Sequence, residues 1–598
     1  MGIAVSPDGR WALSEDGGNL VAVDREDGRS VVLTFDGQPL CGYGTRPGAA
    51  STARAAPGGD EAAPPVAVWS PDSQRVAVHR LDEGRVGELH LVEHLPRAGD
   101  RRTAVRTYRH PLAGEGEVPE AELWLSDIAT GERIRVQMPA QRLLWLTPIE
   151  LGRVWWSEDG SRVYVLTSER GERALELYEV DAATGTAQRL HREEGATYVE
   201  ANLDIARPPN VRVLPGGAEF IWFSERSGWG HLELRSSPTG ALIRPLTEGD
   251  RVVRDVVHLD AVARQVWFTA SGREAGRDPY YRHLYRVDLN GGEPVLLTPE
   301  DTDHDIATEV DDHGWRVVDH QARLGGPIRC VIRDPWSGEV LETRSETWPG
   351  PTTAESFTVE DRDGSTTLYG VLFRPSDFDP CRRYPVICHV YGFPQTIATP
   401  KRTAEGPCQE LANQGYVVVV LDGLGTAFRS KAFHDESYGL LEDATLPDYV
   451  AALRQLACRH SWIDLERVGV FGSSGGGTTT VRALLEHPDV FHVGVAISGG
   501  YDHRDSIAYI LEKYQGPDQQ AWEATDLAPL AGRLKGRLLL IWGELDDNVH
   551  PLSSMRMLHA FIKAGRDVDV LVVPGADHFV SRHPFTQRRV SQYFSQHL

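Results

Sequence analysis

Residues 472–476 read Gly-Ser-Ser-Gly-Gly, a G-x-S-x-G pattern with Ser474 at its centre. The apolar run RVGVFG (467–472) precedes it, and helical spacing follows from Thr478 to His487, stopping at Pro488. A strand-to-helix corner this tight admits only small residues beside the nucleophile and lifts the hydroxyl off the sheet edge. The segment has neither a Walker lysine nor G-x-G-x-x-G spacing, so a phosphate-cradling loop is the poorer account. Ser473 is the neighbouring residue and not the nucleophile.

A serine hydroxyl needs a base, and the base needs an acid to orient it. On this type of sheet the chain order is serine, acid, histidine. The run GRLLLIWG (536–543) ends in Glu544-Leu545-Asp546-Asp547-Asn548-Val549, and DVLVVPG (569–575) leads into Ala576-Asp577-His578. Both are strand carboxyl ends, where open sheets place their ligands. His578 is the expected base, and Asp546 and Asp547 both qualify as its acid. The oxyanion of an acyl transfer needs two donors. One is the Gly475 N–H. The other belongs to Tyr391-Gly392-Phe393-Pro394, after the run YPVICHVYG (384–392), as a backbone N–H or the Tyr391 hydroxyl.

The elements that must hold these residues have their own signature. From about residue 346 onward, β-branched runs such as YVVVVLDG (416–423) and HVGVAISGG (492–500) alternate with helical stretches. That texture predicts a parallel sheet covered on both faces, a doubly wound α/β domain over 346–598. Residues 1–345 differ. Turns recur before alternating strands: Ser6-Pro7-Asp8-Gly9, Trp69-Ser70-Pro71-Asp72-Ser73, Trp156-Ser157-Glu158-Asp159-Gly160 and Leu214-Pro215-Gly216-Gly217. Second turns follow at Asp127–Gly131, Asp181–Gly185 and Asp288–Gly291. Hairpins repeating in this way predict a β-propeller rather than a sandwich. Gly42–Pro65, rich in Gly, Ala and Pro, reads as a loop. His304-Asp305 with Asp311-Asp312-His313 reads as an acidic turn of another blade and not as a metal site.

Composition narrows the partners. The 598 residues carry 62 Lys+Arg against 86 Asp+Glu, a net charge of −24. That argues against a nucleic-acid binder, which needs a basic footprint, and disfavours anionic lipid. No apolar run is long enough to span a bilayer. The opening MGIAVSPDGRW lacks a basic segment followed by an apolar one, so no secretory signal is expected. The six cysteines form no C-x-x-C pair. Free thiols in a cytoplasmic protein are the simplest expectation.

Together these motifs resemble the prolyl oligopeptidase family of serine peptidases, on its dipeptidyl-peptidase-IV-like branch. The resemblance rests on VYGFPQ (390–395), AFHDESYG (432–439), GSSGGG (472–477), ELDDNVH (544–550) and ADH (576–578). It extends to WSPDSQRVAVHRLD and FIWFSERSGWGHL (220–232) upstream. It implies an N-terminal β-propeller of about seven blades and a C-terminal α/β-hydrolase domain. The family's D-x-x-V pattern selects Asp546 as the acid, and its tyrosine after the early strand makes the Tyr391 hydroxyl the second donor. Asn548 maps to a substrate-contacting position. The family's Y-T-E-R-Y-M-G segment maps onto Ile510–Gly516, so Tyr514, with Val549 beside it, lines the S1 pocket. A flat aromatic wall suits proline.

Three departures qualify the match. The branch grips the substrate's free amine with a Glu-Glu pair just before its WSPDS turn; here that stretch holds only Asp60-Glu61, which weakens the expectation of dipeptidyl specificity. Ile510 replaces the first pocket tyrosine and Phe393 replaces a glycine, which weakens strict proline preference. The chain also enters its first turn abruptly, implying a missing blade or a start further upstream. The reading is a cytoplasmic peptidase that cleaves short peptides through an acyl-enzyme, with no metal or organic cofactor and a proline or small residue at P1. Relatives dimerise, which implies a homo-oligomer. Two rival readings are hydrolysis of amides or esters of aminoacylated metabolites, and a non-catalytic propeller scaffold.

Overall fold

The computed structural model describes residues 5–49, 64–95, 101–312, 314–349, 352–402, 406–441 and 444–598. Asp60-Glu61 and His313 lie outside these. The chain divides into two compact units. Met1–Ile221, Arg235–Ile243 and Arg504–Gly516 make the first; Trp222–Leu234, Arg244–His503 and Pro517–Leu598 make the second.

In the first unit the repeated turn is one hydrogen-bonding pattern used three times. Ser6 Oγ donates to Asp8 and accepts from the Trp11 N–H at 2.8 Å. Ser70 does the same with Asp72 and the Arg75 N–H, and Ser157 with Asp159 and the Arg162 N–H. The serine satisfies the donor that opens the next strand, and the aspartate holds the serine. The turn's last residue takes a positive φ in each case, at Gly9, Ser73 and Gly160. Successive sheets follow: a three-stranded sheet from Trp11 to Val32, a six-stranded one built around Arg75–Asp82 and Glu120–Asp127, and a four-stranded one from Val154 to Glu194. Val66, Ala77, Leu123, Val154, Val163 and Val180 share one of its cores.

A four-stranded sheet follows in sequence, with strands Arg212–Val213, Glu219–Ser224, His231–Ser236 and Leu242–Pro245. The second unit contains two more, over Val252–Leu296 and Asp303–Thr347. Besides a two-stranded hairpin of Glu88–Glu93 and Ala104–Arg109, the described residues up to Thr347 thus form six successive antiparallel sheets of three or more strands, where the sequence reading expected about seven blades. His304 sits in the last of them, fully buried, with Nδ1 3.0 Å from Asp319. Arg333 closes on the same carboxylate at 2.8 Å. The sequence reading of His304 as part of a solvated acidic turn is thereby corrected: it lies in the strand Asp303–Asp311 and is buried against Asp319, because the cross-strand carboxylate satisfies its ring inside the sheet.

The second unit also holds an eight-stranded sheet. Its order is Ala354–Glu360, Thr367–Phe373, Val417–Asp422, Tyr384–His389, Ile463–Ser473, Val493–Ile497, Arg537–Gly543, Asp569–Val573. The first two strands run antiparallel to their neighbours and the rest are parallel. Val417 and Val419 enter the core on one face, Val418 and Val420 that on the other. An unbroken β-branched run suits a strand buried on both faces. The helices Leu446–Arg459, Gly475–Glu486 and Pro584–His597 supply the covering layers through Leu453, Leu484 and Phe594.

Candidate active site

Ser474 sits at the junction of the strand Ile463–Ser473 and the helix Gly475–Glu486, at φ 59° and ψ −123°. A non-glycine residue there is strained by about 1–3 kcal/mol and persists only where its surroundings over-determine it. They do so here. Its N–H donates to the Ile497 carbonyl at 2.8 Å, and its own carbonyl accepts from Gly477 N at 2.9 Å and Thr478 N at 3.2 Å. The flanking glycines are demanded by close approach. A Cβ at Gly472 or Gly476 would collide with the Val390 carbonyl oxygen, and one at Gly475 with the ring of Phe393. The Ser474 side chain is half-buried.

His578 and Asp546 meet across neighbouring strand ends. His578 Nδ1 lies 2.9 Å from Asp546 Oδ2 and 3.1 Å from Oδ1. Asp546 is fully buried, and its Oδ1 also accepts from the backbone of Asn548 at 3.0 Å and Val549 at 2.8 Å. The carboxylate bonded to the imidazole is therefore that of Asp546 and not Asp547. Burial works against a charged imidazole, but the charge of Asp546 and its hydrogen bond outweigh it, with smaller help from Asp547 and Asp577. The His578 pKa is raised above its ordinary value. A carboxylate can only accept, so Nδ1 carries the proton and Nε2 is left as the basic nitrogen.

Tyr391 follows the strand Tyr384–His389 in a corner that Gly392 makes possible at φ 83°. Thr479 Oγ1 donates to the Tyr391 carbonyl at 3.2 Å, and the Pro394 carbonyl lies 2.8 Å from His434 Nε2. Gln395 Nε2 donates to the phenol oxygen at 2.8 Å. Burial pushes its pKa up, and neighbouring Ser474 and Gln395 draw it only part of the way back. Among the described residues no hydrogen bond joins Ser474 to His578.

Ile510 and Tyr514 belong to the first unit, on the helix Ala508–Gln515. Tyr514 is fully buried; its hydroxyl donates to Glu200 at 3.2 Å and its ring meets Tyr198 edge-on at 4.7 Å. The neighbouring Lys513 lies 2.7 Å from Glu200 and 2.8 Å from Glu172, and Glu172 lies 2.7 Å from Arg153. Sequence reading missed this quartet, because its four charges come from four separate stretches of chain. Gln395 was quoted in the VYGFPQ motif but given no role. The signal was there: an amide four residues past a candidate donor, in a loop that must be polar to serve an oxyanion.

A parallel sheet carrying Ser474 at its elbow, with an acid–histidine pair on later strand ends, defines an α/β-hydrolase. Residues 406–598 match the model of the prolyl oligopeptidase family, and residues 62–328 that of the dipeptidyl peptidase IV N-terminal region. Human dipeptidyl peptidase 8 is 31% identical over 352 residues, 54% of this chain and 38% of that protein. Dipeptidyl aminopeptidase B of Saccharomyces cerevisiae is 25% identical over 569 residues, covering 86% of this chain and 66% of that one. The chain thus spans between 38% and 66% of the length of these relatives. The structure of Porphyromonas gingivalis dipeptidyl peptidase 4 superposes with a TM-score of 0.86 at 21% identity, over 99% of this chain and 82% of that one, a likeness of fold. The chain belongs to the prolyl oligopeptidase family, on its dipeptidyl-peptidase-IV-like branch, with an N-terminal β-propeller followed by an α/β-hydrolase domain.

Proposed function

We propose that this chain is a serine peptidase that hydrolyses short peptides through an acyl-enzyme. Ser474 Oγ attacks the scissile carbonyl and His578 Nε2 takes its proton. Asp546 holds the imidazole in the working tautomer and stabilises the imidazolium. The Tyr391 hydroxyl and the Gly475 N–H, which opens a helix and so has no intrahelical acceptor, stabilise the tetrahedral oxyanion. His578 then protonates the leaving amine, and water, activated by the same nitrogen, releases the acyl group. Asn548 and Val549 are assigned to substrate contact by motif match; Ile510 and Tyr514 match the family's pocket segment by motif alone, and in the first unit Tyr514 is buried against Glu200 and Tyr198. The division of labour follows the element types: 1–345 as the propeller region, 346–598 as the hydrolase region.

The observation that carries the reading is the His578–Asp546 pair at 2.9 Å at the ends of the same sheet that carries the strained Ser474 elbow. The relatives' printed names support peptides as substrates and give no support to the metabolite or scaffold readings. Six free cysteines with no C-x-x-C pair favour a reducing, cytoplasmic setting. Assembly as a homo-oligomer remains part of the proposal. A fluorophosphonate probe tests the centre of it: Ser474 labels in the intact protein and Ser474→Ala does not. Cleavage of a library of free and N-acetylated peptides, read by mass spectrometry, then reports the P1 residue and any need for a free amine. No labelling and no turnover of any peptide would remove the reading.

A further inference from the structure

We propose that His434 is a positioning residue for Tyr391, acting through the peptide group that joins Pro394 to Gln395. The inference rests on the peptidase reading above, in which Tyr391 is an oxyanion donor. His434 lies in the stretch AFHDESYG (432–439), which no step of that mechanism uses.

The loop that carries Tyr391 has little structure of its own. Among the described residues, no backbone-to-backbone hydrogen bond reaches residues 391–399. Side chains from three other elements hold it instead. Thr479, on the helix Gly475–Glu486, donates to the Tyr391 carbonyl at 3.2 Å. Asp422, at the end of the strand Val417–Asp422, accepts from Ala398 N at 2.6 Å and Thr399 N at 3.2 Å. Between these two ends stands His434, on the helix Lys431–Asp435, with Nε2 2.8 Å from the Pro394 carbonyl. A carbonyl can only accept, so Nε2 carries a hydrogen and donates it.

The middle attachment is the one that bears on the phenol. A peptide group is planar, so fixing the Pro394 carbonyl also fixes the nitrogen and Cα of Gln395. From that Cα the side chain turns back, and Gln395 Nε2 donates to the Tyr391 phenol oxygen at 2.8 Å. The route from imidazole to phenol is thus one peptide plane and one amide. On its other side the loop rests on the elbow. Phe393 lies against Gly475, and a Cβ at Gly476 would stand 3.3 Å from the Tyr391 Cα.

The imidazole is itself firmly held. It is fully buried, and Ser430 caps its helix by accepting from Phe433 N at 3.2 Å. The Phe433 carbonyl accepts from Gly425 N at 2.8 Å, and the His434 carbonyl from Ser437 Oγ at 2.9 Å. Oxyanion donors act by being in place before charge develops. A misplacement of about 1 Å by a group remote from the chemistry can lower the rate about 10²-fold.

Two variants that differ by one methylene test this. The amide nitrogen of His434→Gln reaches the place of Nε2, whereas that of His434→Asn stops near the place of Nδ1, short of the carbonyl. The expected result is a loss in kcat of about 10²-fold for Asn and of no more than about threefold for Gln, with KM within about twofold for both. In a Tyr391→Phe background His434→Asn costs no more than about twofold further, the mark of a residue acting through another. A histidine needed only for the fold would lower the thermal midpoint of the variants and leave kcat per folded molecule unchanged.

That last outcome overturns the proposal. So do Gln and Asn variants of equal activity, losses confined to KM, losses that persist in full in the Tyr391→Phe background, or failure of both variants to fold while Tyr391→Phe folds. Fluorophosphonate labelling of the parent protein separates the two layers. A labelled, active parent with indifferent His434 variants removes this inference alone; an unlabelled, inactive parent removes the peptidase reading.

Discussion

The ring of Phe393 lies directly against Gly475, so closely that a Cβ on the glycine would overlap Cδ2 of the ring. The contact locks the loop that carries Tyr391 onto the first turn of the helix that follows Ser474. It also shows what the bulky residue at 393 does in this chain. It fills the space over the elbow and stands tilted 5.9 Å from His503 and 6.0 Å from Tyr391. Gly475→Ala is therefore expected to be overpacked and to lose about 1–3 kcal/mol, with lowered turnover. Adding Phe393→Gly to Gly475→Ala should restore much of the thermal midpoint. Thermal unfolding of the single and double variants decides it: equal midpoints for both would show that the ring is not the obstacle.

The pH profile follows from His578. The general base must be neutral, so activity falls as pH drops through its pKa. Because Asp546 raises that pKa, the acid limb of kcat/KM is expected to have its midpoint above about 6.5, the ordinary histidine value. Asp546→Asn removes the carboxylate and permits the wrong tautomer. A loss of about 10⁴-fold in kcat is expected. Rate measurements from pH 5 to 9 check both statements, and an acid limb centred well below the ordinary value would count against the pair.

Tyr391→Phe tests the oxyanion assignment. A donor used only in the transition state lowers kcat and kcat/KM together, by about 10²–10³-fold, and leaves KM nearly unchanged. Steady-state kinetics on one peptide suffices. A change in KM alone would move Tyr391 from the reacting centre to substrate binding.

The buried quartet in the first unit makes a stability prediction. Burial disfavours the Glu172 carboxylate, but Lys513 and Arg153 outweigh it and lower its pKa to about 2. A depressed carboxylate contributes stability above its unfolded pKa of about 4.5 and loses it as pH falls toward 2. Lys513→Met leaves Glu172 and Glu200 with one cation fewer and should cost about 3–5 kcal/mol, the usual result of breaking a buried ion pair. Lys513→Arg should cost less. Denaturant unfolding at neutral pH measures both, and a Met variant as stable as the parent would show that the cluster is neutral to the fold.

Much of this was legible in the one-dimensional chain because it is written in local rules. The serine corner needs glycines within four residues of each other, and Gly472, Gly475 and Gly476 supply them. The sheet strands announce themselves because Val417–Val420 must be apolar on both faces. The propeller turns repeat because Ser6, Ser70 and Ser157 solve the same hydrogen-bonding problem with the same neighbours. Chain order alone placed His578 after a second acidic strand end.

Tertiary structure decided what depends on direction and on distant partners. Asp546 and Asp547 are adjacent and chemically alike. Only the fold turns the first inward to His578 and leaves the second half-exposed. Gln395 became a partner of Tyr391 only because the loop after residue 391 doubles back, which no periodicity encodes. The helix 508–515 sits among the sequence of the hydrolase strands, yet it folds with the first unit, held by Glu172 and Glu200 from more than 300 residues upstream. Residue types and short spacings specify which chemistry a segment is able to perform. Which groups meet is set by long-range packing, where a favourable contact gains its energy only after the intervening chain has been ordered.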